Sequence, residues 1–134
     1  MRAVLDPNIL IAALLSRSGT PAQLVSGWLA GEFELVTSEK LIAEFERALA
    51  YPKLRTRVST EEAAGFVAVL RHGAVLAADP AEPPRRSTDP GDDYLIALAE
   101  QERAVLVSGD QHLTTLSADL PIETARDFLD KLDE

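Results

Sequence analysis

Hydrophobic positions along this 134-residue chain follow two rhythms that alternate from end to end. Short β-compatible runs stand at "RAVL" (2–5), "FELVTS" (33–38), "AVLAA" (74–78), "AVLVS" (104–108) and near Pro121–Glu123, and these predict strands. Longer segments with helical punctuation lie between them. "ILIAALLS" follows the first strand directly. Thr20-Pro21 reads as a cap with proline in the first turn, opening a helix to about Ala30 that Gly31 ends. Ser38 can cap a helix reaching about Ala50, and Ser59 with Glu62 has capping-box spacing for one ending near Gly73. The segment "DPAEPPRRSTDPG" (79–91) carries four prolines and cannot hold a regular element. Asp89-Pro90 then opens a helix through about Glu102, Gly109-Asp110 turns into a short helix, and Thr124 with Asp127 has capping-box spacing for "TARDFLDKL".

The alternation predicts an α/β fold, a three-layer sandwich with a mostly parallel central sheet. "AVLVS" is nearly all apolar, as expected of a strand whose two faces are both covered. No repeat and no long linker interrupts the pattern, so a single domain over 1–134 is expected.

Composition narrows the function classes. A hydrophobic fraction of 46% and a charged fraction of 26% are those of a soluble globular protein. No apolar run approaches the ~20 residues that span a bilayer, and no signal-peptide pattern opens the chain, so a cytoplasmic protein with no membrane partner is expected. The chain has no cysteine, which removes disulfides, Cys-ligated zinc and thiol nucleophiles. A net charge of −9 argues against a protein that coats nucleic acid, though not against an enzyme that meets phosphate through a bound cation.

Most of these carboxylates belong on solvated surfaces; four positions stand apart. In open parallel α/β sheets, ligands bind beyond the carboxyl ends of the strands. Asp6 ends the first strand and Asp110 lies just past "AVLVS", so both reach that edge. In "DPGDDYLIALAE", Asp92 shares the apolar face of Leu95, Ile96, Leu98 and Ala99, while Asp93 falls about a right angle away at ~100° per residue. In "EKLIAEFERALA", Glu44 and Glu46 flank the apolar face on opposite sides, and periodicity does not choose between them.

In this order and spacing, "VLDPNILIAALL", "TSEKLIAEFERAL", "DPGDDYLIALA" and "VLVSGDQHL" resemble the PIN-domain family, in particular VapC-like toxins of toxin–antitoxin pairs. The resemblance extends to the closing "ETARDFLDKL". It implies four site residues. The family's strand-end D-x-N aspartate matches Asp6 with Asn8, and its helix glutamate, six residues after a serine, matches Glu44 after Ser38, which selects Glu44 over Glu46. Its third acid matches Asp92, with Ala99 seven residues on, and its fourth matches Asp110 after Ser108. Pro7 departs from the pattern, replacing the threonine common between aspartate and asparagine.

What the resemblance implies is a metal-dependent endoribonuclease. Clustered carboxylates repel unless a cation neutralises them, and oxygen-only ligands select Mg²⁺ or Mn²⁺. Asp6, Asp92 and Asp110 are the expected metal ligands. Glu44 is expected to orient the attacking water or complete a second metal position. Asn8, Ser38 and Ser108 are expected to fix carboxylate rotamers. RNA as substrate, a cognate antitoxin and a homodimer are the expected partners.

The remaining candidates are less telling. His72 and His112 have no ligand-spaced partner and suit surface or capping roles, and Trp28 and Phe33 suit core or subunit contacts. "KLRTR" (53–57), the densest basic cluster, suits a solvated helix end, an RNA contact or an antitoxin contact. A phosphoacceptor receiver domain would need a mid-chain aspartate and a late strand-end lysine. This chain has no Asp between Asp6 and Asp79, and its lysines are Lys40, Lys53 and Lys131. A dehalogenase-like phosphatase would need D-x-D where Asp6-x-Asn8 stands. The remaining alternative is a catalytically inactive binding or dimerisation scaffold of the same fold.

Overall fold

The computed structural model describes residues 1–117 and 119–134, with the side chains of Pro90 and His112 outside the described set. Among the described residues, five strands form one all-parallel sheet in the order β3-β2-β1-β4-β5. These are β1 (Arg2–Leu5), β2 (Glu34–Thr37), β3 (Val75–Leu76), β4 (Val105–Val107) and β5 (Ile122–Glu123). The central strand sets the register, with Val4 opposite Val36 on one side and Leu106 on the other. Ala3, Val4, Leu5, Leu106 and Val107 are all buried, which is why these strands lack a polar alternation. The edge strands β3 and β5 hold two residues each, leaving little unpaired backbone for edge-to-edge association.

Parallel strands need long crossovers, and helices supply them here. The chain leaves β1 through α1 (Pro7–Leu15) and α2 (Thr20–Leu29) to β2, then through α3 (Glu39–Leu49), α4 (Pro52–Arg55) and α5 (Thr60–Gly73) to β3. It returns across the sheet through a 3₁₀ turn (Pro90–Asp92) and α6 (Asp93–Gln101) to β4, then through α7 (Gln111–Thr114) to β5, and ends in α8 (Ala125–Leu132). The direction of winding therefore reverses between β1 and β4. In doubly wound sheets that reversal opens a crevice at the carboxyl edge, where ligands bind.

Helices α1, α2, α3 and α6 supply most of the helical core, including Leu10, Leu24, Phe45 and Ile96. Trp28 is buried, and Phe33 meets Phe128 edge to face at 5.2 Å, fastening α8 to the start of β2; both aromatics are core residues. No described helix is long and apolar enough to cross a membrane.

Most expected caps form. Ser38 Oγ accepts from the Leu41 N–H, Ser59 and Glu62 make both bonds of a capping box, and Thr124 Oγ1 accepts from the Asp127 N–H. Two starts differ. Thr20 is the first helical residue, with Gly19 in the cap position, and its hydroxyl accepts from Arg126 and ties α2 to α8. The helix expected from Asp89 begins as α6 at Asp93, because the Asp89 carboxylate turns back onto the Gly91 N–H and the chain passes through the 3₁₀ turn first. The strand expected over 74–78 shortens to Val75–Leu76 as the proline-rich segment approaches. The single turn α4 falls within the basic cluster and was not anticipated.

Helix α6 closes through a left-handed residue, Arg103, at φ 52°. The following Ala104 N–H donates to the Ala99 carbonyl at 2.8 Å, so the conformation is held by the backbone. A side chain costs about 1 kcal/mol in this region, and glycine is the usual occupant. Arg103→Gly is expected to raise thermal stability by about 0.5–1 kcal/mol, read as a Tm increase of a few degrees.

Candidate active site

The site begins where β1 stops. Asp6 caps α1, with Pro7 as the first helical residue contributing no N–H that would need a partner. One carboxylate oxygen accepts from the Asn8 N–H at 2.9 Å, and the other accepts from the Ser108 hydroxyl at 2.9 Å. Ser108 Oγ in turn accepts from the Asp110 N–H at 3.0 Å, and the Asp6 N–H donates to the Val107 carbonyl at 3.0 Å. The ends of β1 and β4 are thus stitched together at the winding reversal. Asp6 is 5% exposed and Ser108 fully buried. Burial pushes the Asp6 carboxyl above its usual range, bonds from Asn8 and Ser108 partly offset this, and the Asp110 charge adds to the rise.

The neighbouring aspartates in the next turn divide two tasks. Asp93 is 2% exposed, and its Oδ1 accepts from the Arg86 N–H (3.1 Å), the Ser87 N–H (2.8 Å) and the Ser87 hydroxyl (2.8 Å). Arg85 lies 3.6 Å from its other oxygen. Burial works against the charge, but these bonds and the Arg85 guanidinium together hold its pKa below the usual value. Asp93 therefore anchors the proline-rich segment to α6.

Asp92 is half-buried and is pushed up to about 6, first by burial and then by the charges of Asp89, Asp6, Asp110 and Glu44. The helical wheel turned Asp92 inward and Asp93 aside; in the structure Asp93 is the more buried. The wheel fails because Asp92 belongs to the 3₁₀ turn and not to the regular helix on which the angle was counted.

Glu44 reaches the same space from α3. Its Oε2 accepts from the hydroxyl of Tyr94 at 2.9 Å, and Tyr94 is itself buried. Burial, the Glu44 charge and that bond all raise the tyrosine pKa, so it stays a donor. Lys40 lies with Nζ 4.4 Å from the centroid of the Tyr94 ring, and its N–H donates to Asp79 Oδ2 at 3.1 Å.

Asp6, Glu44, Asp92 and Asp110 thus come from four separate parts of the chain, and the charges of the other three all reach Asp92. Among the described residues, no three His, Asp or Glu side chains are gathered closely enough to chelate an ion as they stand. The donor set nevertheless fits a hard divalent cation. It is all oxygen, and its mutual repulsion is visible at Asp92, where an ion keeping several waters would relieve it.

Of the expected supporting residues, Ser108 contacts a carboxylate through its hydroxyl and Asn8 through its backbone N–H, whereas Ser38 Oγ caps α3. His72 is exposed at the end of α5, which leads into the start of β3 and so lies at the opposite edge of the sheet. The His112 side chain is outside the described residues. Sequence reasoning missed Tyr94, Asp89 and Lys40. A tyrosine on a buried helix face needs an acceptor for its hydroxyl, which was the available signal for Tyr94.

A cluster of acidic groups at the reversal of a parallel α/β sheet is the class of site these elements define. The PIN-domain model matches residues 2–112, and the chain belongs to the PIN-domain family, whose members are generally nucleases. It is 20% identical over 144 aligned positions to an uncharacterised protein of Methanocaldococcus jannaschii, covering 100% of this chain and 93% of that one. Among solved structures it is similar to VapBC2 from Rickettsia felis bound to a DNA fragment from their promoter, with a TM-score of 0.65, 15% identity and coverage of 92% of this chain and 98% of that chain. It is also similar to a domain of a functionally unknown Methanocaldococcus jannaschii protein, with a TM-score of 0.57, 11% identity and coverage of 92% and 89%. At these identities the structures share the fold.

The two aspartates should separate in a stability measurement. The folded pKa of Asp92, about 6, exceeds the ordinary 3.8, so its ionisation disfavours the folded chain progressively as pH rises through 6. The Tm of metal-free Asp92→Asn should therefore exceed wild type at pH 8, with the difference shrinking towards zero by pH 4. Asp93→Ala removes the acceptor of three part-buried donors and should cost about 1–3 kcal/mol at neutral pH. A metal-free Asp92→Asn no more stable than wild type at pH 8 would place Asp92 outside the carboxylate cluster.

Proposed function

We propose that the chain is a divalent-metal-dependent endoribonuclease that hydrolyses RNA phosphodiesters and serves as the toxin of a toxin–antitoxin pair. The observation that supports this reading is the mutual influence of four carboxyl groups near the winding reversal, where the charges of Asp6, Glu44 and Asp110 all act on Asp92. Membership of the PIN-domain family supports the nuclease class, and the fold shared with a VapBC complex supports the antitoxin partner. A homodimer and a cytoplasmic location complete the proposal.

In this reading Asp6, Asp92 and Asp110 would hold Mg²⁺ or Mn²⁺, directly or through water, and Glu44 would complete the site. Such an ion, when bound, would lower the pKa of water and offset the negative charge of the phosphate. Ser108 fixes the Asp6 carboxylate before any ligand arrives, so little reorganisation is needed on binding. Tyr94 donates to one oxygen of Glu44, leaving the other to orient the attacking water or accept its proton.

Two experiments test this. Mn²⁺ or Mg²⁺ should raise the wild-type Tm by several degrees, since an ion at 100 times its Kd adds about 2.7 kcal/mol to the native state, and should do so less in Asp6→Asn. Equal shifts in the two proteins would remove Asp6 from the metal site. Expression without the neighbouring partner gene should arrest growth for wild type but not for Asp6→Asn, and the purified protein should cleave single-stranded RNA in an EDTA-sensitive reaction. If wild type folds, neither arrests growth nor cleaves RNA, the nuclease reading gives way to the binding scaffold.

A further inference from the structure

Lys40 is in an unexpected place. It occupies the first turn of α3, immediately after Glu39, where the helix dipole opposes a cation. Glu44 stands four residues on, at the spacing where lysine and glutamate commonly pair along a helix. Yet among the described residues no carboxylate lies within ion-pair distance of the Lys40 ammonium. Other arginines of the neighbouring segments do have such partners: Arg71 has Glu39, Arg85 has Asp93 and Arg86 has Glu100.

Tyr94 accounts for the separation. The ammonium lies 4.4 Å from its ring centroid, while the hydroxyl of the same ring takes Glu44 Oε2 at 2.9 Å. One buried aromatic thus holds a cation on its face and an anion at its tip and keeps them from neutralising each other. The interaction with the ring face retains the lysine without consuming its charge, and leaves its three donors for another acceptor. The Asp79 carboxylate accepts from the Lys40 backbone N–H.

We infer that Lys40 is a substrate-binding residue that contacts a backbone phosphate of the nucleic-acid strand beside the carboxylate cluster. This inference rests on the proposed nuclease reading and adds to it the contact that lets an anionic strand approach an acidic site. In a chain of net charge −9, general attraction to a polyanion is absent, so a cation beside the carboxylates carries unusual weight.

The test uses the intact chain and a fluorescein-labelled single-stranded RNA that wild type cleaves in Mn²⁺, with kinetics taken from 50 to 300 mM NaCl. Lys40→Gln is expected to raise KM about 5- to 10-fold, to make the salt dependence of log KM shallower by about 0.7–1, and to leave the loss out of kcat. Lys40→Arg should restore most of KM, and the Mn²⁺-induced Tm shift should match wild type in both variants. An unchanged KM and salt slope in Lys40→Gln overturns the inference, as does a loss confined to kcat or a lost Mn²⁺ shift. If wild type folds but cleaves no RNA, the nuclease reading fails separately. Fluorescence anisotropy with an uncleaved fluorescein-labelled single-stranded RNA in EDTA at 50 mM NaCl then decides on Lys40: weaker binding by Lys40→Gln supports the phosphate contact, and equal or undetectable binding overturns it.

Discussion

Burying the Asp6 carboxylate between the ends of β1 and β4 is the constraint around which the rest of the molecule is arranged. A charged group at 5% exposure is costly unless its lone pairs are met. Here the Asn8 N–H and the Ser108 hydroxyl meet them, and the hydroxyl is itself oriented by the Asp110 N–H. That relay requires β1 and β4 to be neighbours and in register, Ala3 with Val105 and Leu5 with Val107. It also requires the chain to leave β1 as a helix whose first N–H groups point back at the carboxylate. Strand order, register and helix start are therefore coupled through one side chain.

The acidic crevice is expensive in the absence of a cation, and the structure distributes that cost. Asp92 carries it most openly, held near a pKa of 6 by burial and four surrounding charges. Asp93, one residue away, carries none of it, because backbone N–H groups and a hydroxyl stabilise its charge. Two adjacent carboxylates thus differ in pKa direction because one is solvated by the protein and the other faces its own kind. Tyr94 performs a related separation with opposite charges, keeping Lys40 and Glu44 on different parts of one ring.

How far the sequence was legible depends on the range of the interaction. Strand cores were legible because buried residues such as Val4 and Leu106 leave continuous apolar runs, and caps such as Ser38 and Ser59 because their partners lie three residues on. The convergence of Asp6 and Asp110 followed from strand ends alone. Long-range side-chain bonds were not legible. Nothing local says that Thr20 serves Arg126, that Tyr94 reaches Glu44 fifty residues away, or that Asp93 turns to Ser87. The wheel misjudged the Asp92–Asp93 pair because a 3₁₀ turn changes the angle per residue at the point where the answer depended on it. The sheet proved wholly parallel, the simplest outcome once every connection contains a helix.

The bonds around Asp93 also bear on how this protein can vary. The proline-rich segment between β3 and α6 is irregular up to its closing 3₁₀ turn, and such segments ordinarily absorb insertions and deletions freely. Here its second half is registered to the helix, with Arg86 and Ser87 bound to Asp93 and Arg86 also paired with Glu100 at 2.5 Å. A change of length between Ser87 and Asp92 would carry Asp89 and Asp92 away from the crevice, whereas one between Ala81 and Pro84 would be taken up before the anchor. Natural relatives of this chain should accordingly differ in length on one side of Arg86 and keep a constant count on the other.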